Sequence, residues 1–185
     1  MKRHITTAIL SLSCVLIITN GFAQEKYKTS KTQVDFFSKT PMENIEAVNK
    51  SAKGIIDFNT KAFLIKIPIK SFDFPSDLME EHFNENYLES EKYPDATFKG
   101  AIDGNYDLKK DGDYPINASG DLTIHGVTQK RTIPCIMKIA NGALTVSSKF
   151  NVKLTDHNIE VPQLVFNKIA EVIEVRAELL FAKIP

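Results

Sequence analysis

An all-β, antiparallel architecture is predicted for this chain by three observations. Apolar residues alternate with polar ones along most of its length. Turn dipeptides separate the alternating runs. No long helical pattern stands between them to carry a parallel crossover. About eight strands, each with one apolar and one wet face, define an antiparallel barrel or sandwich with one short helix.

The elements follow in order. Val34 to Ser38 and Ala47 to Phe58 are short strand candidates, and Thr40 to Lys53 reads as a short turn or helix entering a strand. Phe63, Ile65, Ile67 and Ile69 then alternate with Leu64, Lys66, Pro68 and Lys70. The one helix is expected from Asp77 to Glu89. Asp77 stands as its cap with Glu80 three residues on. Met79, His82, Phe83, Asn86 and Tyr87 form a stripe at helical spacing, and Tyr93-Pro94 ends the segment. Thr97 to Asp103 is a further strand. Ile116, Ala118, Gly120, Leu122 and Ile124 make the next, with His125-Gly126 as a tight turn after it.

The run from Ile133 to Leu154 carries the most information. Ile133, Cys135, Met137 and Ile139 share one face. Asn141-Gly142 is the strongest short hairpin signal, and Leu144, Val146, Ser148, Phe150 and Val152 share the face beyond it. A two-residue turn there sets Ile139 against Leu144, Met137 against Val146, Cys135 against Ser148 and Ile133 against Phe150. Every apolar position then meets the same face of its neighbour. Ile173, Val175, Ala177, Leu179 and Phe181 form the last strand.

The chain has 185 residues, 43% apolar and 25% charged, with 12 Phe, no Trp and two Cys. It is too apolar for a disordered chain and too poor in Cys for a disulfide scaffold. Basic and acidic residues balance at 23 each, so no bulk field attracts nucleic acid. Lys2 and Arg3, the uncharged apolar run Ile5 to Ile18, and Gly21-Phe22-Ala23 form the pattern of a cleaved secretory signal peptide over residues 1–23. Residues 24–185 are then one domain, without a transmembrane anchor. Cleavage removes Cys14 and leaves Cys135 alone, expected buried within an alternating strand. Mid-strand Gly100, Ala118, Gly120, Cys135, Ser148 and Ala177 lie where a packed core wants larger residues. Loops fill that space, or a ligand does.

Three segments resemble the YceI-like family. They are Asp77-Leu78-Met79-Glu80-Glu81-His82-Phe83 with Tyr93-Pro94-Asp95-Ala96-Thr97-Phe98; Gly120-Asp121-Leu122-Thr123-Ile124-His125-Gly126-Val127-Thr128; and Asp156 to Pro162 followed by Val172 to Leu180. The resemblance covers roughly Tyr27 to Ala182. It implies a lipocalin-like, eight-stranded antiparallel barrel with a short helix at one mouth, in the bacterial periplasm. It also implies a bound isoprenoid, polyprenyl or quinone-like, as partner, with no catalytic residues and no separate cofactor. The expected state is monomer or homodimer. Thr40 to Lys53 departs from the family pattern and is expected to reshape one mouth.

On that reading Phe63, Ile65, Ile67, Phe98, Leu122 and Ile124 line the barrel. Cys135, Met137, Val146, Phe150, Val175, Ala177 and Leu179 line it from the later strands. Phe72, Phe74, Met79, His82 and Phe83 shape the mouth. Burying about 20 methylene-sized groups at ~0.8 kcal/mol each contributes on the order of 16 kcal/mol gross, which the loss of ligand freedom reduces.

Rival chemistries are thinner. His82 and Glu85, three apart on the helix, have metal-ligand spacing and suggest a metal-dependent hydrolase. His125 near Asp121 and His157 beside Asp156 add scattered imidazoles without a tight motif. His125 reads as structural, or as a donor to a lipid head group. Asp107 to Asp113 resembles a calcium loop, but Lys109 and Ala118 stand where ligands belong, so it reads as a turn. A filled barrel acting as a stress or partner protein is the third reading.

Overall fold

The computed structural model describes residues 25–162 and 168–185; the expected signal peptide over residues 1–23 lies outside the described residues. The strands are β1 (Lys26–Lys39), β2 (Asn44–Asn49), β3 (Lys53–Asp57), β4 (Ala62–Pro68), β5 (Phe72–Asp73), β6 (Asp95–Gly104), β7 (Gly112–Ile124), β8 (Val127–Ala140), β9 (Ala143–Lys153) and β10 (Val172–Lys183). All neighbours are antiparallel, and β1 pairs with β10 to close the sheet on itself. Two positions in the ring are each shared by two segments. Both β2 and β3 pair with β1, while β5 pairs with β2 and β4 with β3. The result is the expected eight-stranded antiparallel barrel, run up and down, with one short helix over one mouth.

The strand expected over Ala47 to Phe58 is broken at residues 50–52, where the sheet turns a corner. Thr32 and Asn49 satisfy the backbone there. The Thr32 hydroxyl lies 3.1 Å from the Lys50 and Ala52 carbonyls. The fully buried Asn49 donates to the Pro68 carbonyl at 2.8 Å and accepts from the Ser51 amide at 2.8 Å.

The Asn141-Gly142 turn has φ of 50° and 77°, and His125-Gly126 has 50° and 72°. Positive φ at both central residues is the mark of the hairpin turn that matches strand twist. The expected register follows for Ile139–Leu144, Met137–Val146 and Cys135–Ser148. The Ile133–Phe150 pair does not form. The ladder stops at Cys135–Ser148, and beyond it the Arg131 guanidinium donates to the Asn151 carbonyl at 2.6 Å.

Gly100 and Gly120 face each other across β6 and β7. A Cβ on either would stand 2.0 Å from a backbone oxygen of the other strand. Their smallness answers a close approach of two backbones and leaves no void. Phe63 sits opposite Gly100, and its ring meets Phe98 at 4.8 Å between centroids. With Ile102, Ile116, Met137, Ile139 and Leu144 these rings fill the half of the barrel away from the helix. Tyr27, Phe58 and Tyr106 pack edge to face over that end.

Cys135 is buried in this half, and desolvation pushes its thiol up to about 11. A thiolate is the reactive form. Native protein at pH 8 is therefore expected to resist Ellman's reagent at Cys135 and to react there on denaturation. Rapid native labelling of Cys135 would contradict the packing.

Candidate functional site: an apolar cavity under the helix

The other half of the barrel is hollow. A cavity of about 410 Å³ opens there, its wall almost wholly apolar. Its depth can be read along the strands. On β7 Ile124 and Leu122 line it, while Gly120, Ala118 and Ile116 do not. On β9 Val152 and Phe150 line it, and on β10 Ile173 and Val175 do; the next inward residues, Ser148 and Ala177, lie beyond it. The cavity is thus two inward-facing rows deep.

The helix α1 (Asp77–His82) covers this opening and runs on into one π-type turn, Phe83–Tyr87. The expected cap is displaced by one residue: Ser76 holds the N-cap position, and Asp77 is the first helical residue. The helical stripe meets the cavity through Met79, His82, Phe83 and Tyr87, and Leu78 joins them; Asn86 is exposed. Beneath it lies a cluster of phenylalanines. Phe83 stacks on Phe36 at 5.3 Å between centroids and 21° between planes, and meets Phe74 at 4.9 Å and Phe72 at 5.6 Å. Such pairs contribute about 0.5–1.5 kcal/mol each beyond their burial.

Of the residues expected to line the barrel or its mouth, Ile67, Phe72, Phe74, Met79, His82 and Phe83 line the cavity, as do Leu122, Ile124, Phe150 and Val175. The rest do not. Phe63, Cys135, Met137 and Leu179 are buried in the filled half, and Ile65, Phe98, Val146 and Ala177 pack against them. The reason is geometric. Alternation assigns a residue to the inward face but not to a depth along the barrel.

Several lining residues went unnoticed as site residues. Val34, Phe36 and Ser38 lie on β1, a strand that was legible. Glu43 and Ile45 lie on the atypical Thr40 to Lys53 segment. Ile159, Lys168 and Ile169 belong to the connection between β9 and β10, where no periodicity marks them. Among the described residues the lining includes a few polar groups, Glu43, Lys168 and Ser38 among them. Lys168 Nζ is 4.0 Å from a Glu43 carboxylate oxygen, and the buried Ser38 hydroxyl accepts from the Ala170 amide at 2.9 Å. An ion pair this exposed contributes little to stability.

His125 points to protein partners, not to the cavity. Its Nε2 is 2.7 Å from Glu89 Oε2 and its Nδ1 is 3.2 Å from the His157 carbonyl oxygen. The Tyr93 ring packs on it at 4.7 Å, and a Cβ at Gly126 would stand 2.5 Å from that ring. The Thr-Ile-His-Gly segment is thus a clasp joining the helix segment to the β9–β10 connection. A head-group role for His125 finds no support in this geometry.

His157 completes the clasp. It is fully buried, with Nδ1 3.1 Å from the Val127 carbonyl oxygen. Burial lowers its pKa, outweighing the opposite pull of that carbonyl and of Asp156. The unfolded chain therefore takes up the imidazole proton first. Its contribution to stability is intact above the ordinary imidazole value of 6.5 and is lost as pH falls through and below it. The melting temperature is expected to fall between pH 7.5 and 5.5, and to fall less in His157→Gln. Equal slopes in both proteins would contradict this.

His82 and Glu85 are both exposed, and among the described residues no group of three or more His, Cys, Asp or Glu side chains comes together. The pair finds no third ligand there for a metal centre.

A closed up-and-down barrel, filled at one end and hollow and apolar at the other, with a helix over the hollow, is a lipocalin-like architecture. A profile of the YceI-like domain matches residues 26–181. The chain belongs to the YceI-like family. Among solved structures it is similar to a polyisoprenoid binding domain from Saccharophagus degradans implicated in plant cell wall breakdown, with a TM-score of 0.73 at 16% identity over 85% of this chain and 98% of that one. It is similar to Burkholderia cenocepacia BcnA, with a TM-score of 0.67 at 20% identity over 80% and 95%. A Campylobacter jejuni YCEI protein aligns with a TM-score of 0.53 at 15% identity over 100% and 94%. These likenesses concern the fold. No match was found among curated proteins.

Proposed function

We propose that this protein is an exported binding protein that holds an isoprenoid or similar amphiphilic lipid, polyprenyl or quinone-like, for carriage or sequestration and without catalysis. The observation that carries this reading is the cavity of about 410 Å³ with its almost wholly apolar wall. A hydrocarbon tail fits such a wall; a polar metabolite would lose its hydration there for nothing in return. The polyisoprenoid binding of the Saccharophagus domain supports the same ligand class. Export is supported by the charged start and apolar run of residues 1–23, and sequencing the N-terminus of the purified protein tests it.

Binding is tested by melting the delipidated protein with geranylgeraniol. A ligand at 100 times its Kd stabilises by about 2.7 kcal/mol, a rise of roughly 5–10 °C for a domain of this size. A polar diol of similar mass, added as a control, is expected to leave the melting temperature unchanged. No rise with any prenol would overturn the reading.

A further inference from the structure

Resting on the lipid-binding reading, we infer that the lipid tail enters and leaves the cavity sideways, through an unpaired seam between β8 and β9 that the Arg131 and Gln129 side chains latch. The seam begins where the ladder between these strands stops, at Cys135–Ser148. A continued register would pair Pro134 with Lys149, Ile133 with Phe150, Thr132 with Asn151 and Arg131 with Val152. None of these pairs forms, although all eight are strand residues. The neighbours on either side keep their pairing over the same stretch. β7 holds β8 as far as Ile124–Val127, and β10 holds β9 as far as Val172–Lys153. The backbone ties each strand to its other neighbour and leaves the seam between them free.

Side chains take the place of the missing ladder. Arg131 donates to the Asn151 carbonyl at 2.6 Å, and the Gln129 amide donates to the Asp156 carbonyl at 2.7 Å. His157 Nδ1, 3.1 Å from the Val127 carbonyl oxygen, ties the far end. Gln129 shares the inward face of the sheet with Leu122, its partner across the β7–β8 ladder, and Arg131 follows by alternation. Apolar Ile133, Cys135 and Met137 hold that face further along β8. Polar groups turned inward need hydrogen-bonding partners, and these two find them across the seam. The cavity wall accordingly passes from Leu122 and Ile124 on β7 to Phe150 and Val152 on β9, with no β8 side chain between them among the described residues.

The seam is the easier way in. Opening the mouth would lift Phe83 off Phe36, Phe72 and Phe74, and water does not replace such contacts. Opening the seam releases bonds from Arg131 and Gln129 to neutral carbonyls at the exposed surface. Water replaces these at once, so their net cost is small. A second hollow, of about 510 Å³, lies at the fork itself. The last ladder pair, Cys135 and Ser148, lines it with Pro134 and Lys149 just beyond, and Pro115 and the exposed Ile136 give it apolar surface. A tail passing between the strands thus meets apolar groups at the fork and again at Phe150 and Val152.

A gate sets rates and leaves the end states alone. The experiment loads the mature protein with radiolabelled geranylgeraniol and follows its release to excess phosphatidylcholine vesicles, its uptake in the reverse direction, and the equilibrium Kd. In the double variant Arg131→Ala, Gln129→Ala, release and uptake are both expected to quicken about tenfold while Kd stays within about threefold of wild type. Should that variant not fold, Arg131→Met keeps the stem without the donors and is read the same way. In a Cys135→Ala background, Thr132→Cys and Asn151→Cys place one thiol on each side of the seam. Joining them with ethanediyl bis-methanethiosulfonate is expected to slow release about tenfold, and reduction is expected to restore it. Wild-type release rates in the latch variant or in the cross-linked protein would overturn the gate while upholding lipid binding. A changed Kd with an unchanged uptake rate would place Arg131 and Gln129 in the bound state and overturn their role as a latch. Failure of wild-type protein to bind any prenol would overturn both readings.

Discussion

Gly120→Val is expected to abolish folding. The substitution adds a Cβ that would lie 2.0 Å from the Lys99 carbonyl oxygen and 2.7 Å from the Gly100 Cα. Both obstacles are backbone, so no side chain can swing aside. The two strands must part, and with them the ladder from Thr97–Thr123 to Gly104–Ile116. Overpacking of an ordinary core site costs about 1–3 kcal/mol; a backbone collision in a closed barrel exceeds that, against a total stability of about 5–15 kcal/mol. The protein is expected in the insoluble fraction, with any soluble remainder lacking a cooperative melt. The milder Gly100→Ala meets the Ser119 carbonyl oxygen at the same 2.0 Å and is expected to fail in the same way. A folded Gly120→Val with a native melting temperature would mean that β6 and β7 are not packed as described.

Val175→Trp is the second large effect and leaves the fold standing. Val175 lines the cavity and lies opposite Phe36 on β1 and Phe150 on β9. Exchanging three side-chain carbons for the ten heavy atoms of a tryptophan side chain adds seven, about 170 Å³ at the benzene proportion. That is a large share of the 410 Å³ present, and it enters empty space instead of packed core. Affinity for geranylgeraniol is expected to fall about 100-fold, with the melting temperature of the delipidated protein unchanged or raised. The chain has no other Trp, so indole fluorescence reports the cavity directly. A folded variant that binds as tightly as wild type would place the lipid elsewhere.

Much of the barrel was legible because the local code and the fold agree. The Asn141-Gly142 turn and the alternation on either side place Met137 against Val146, since period-two patterning leaves no other register with both apolar faces together. The helix was legible from the stripe Met79, His82, Phe83 and Tyr87. What alternation cannot express is distance along the barrel axis. Phe98 and Leu122 face each other across one ladder, yet Leu122 lines the cavity and Phe98 does not. Nor can it express the close approach that requires Gly100 and Gly120, which looked like missing volume and are instead touching backbones. Rim residues such as Glu43 and Lys168 sit on connections without periodicity, so only the assembled fold brings them together.

The central claim is that the hollow half of the barrel carries a lipid. Native mass spectrometry of the mature protein purified from its own host, followed by organic extraction, tests it most directly. The account predicts a discrete extra mass that leaves with the organic phase and analyses as an isoprenoid. A bare mass, together with no uptake of added geranylgeraniol or quinone, would contradict it.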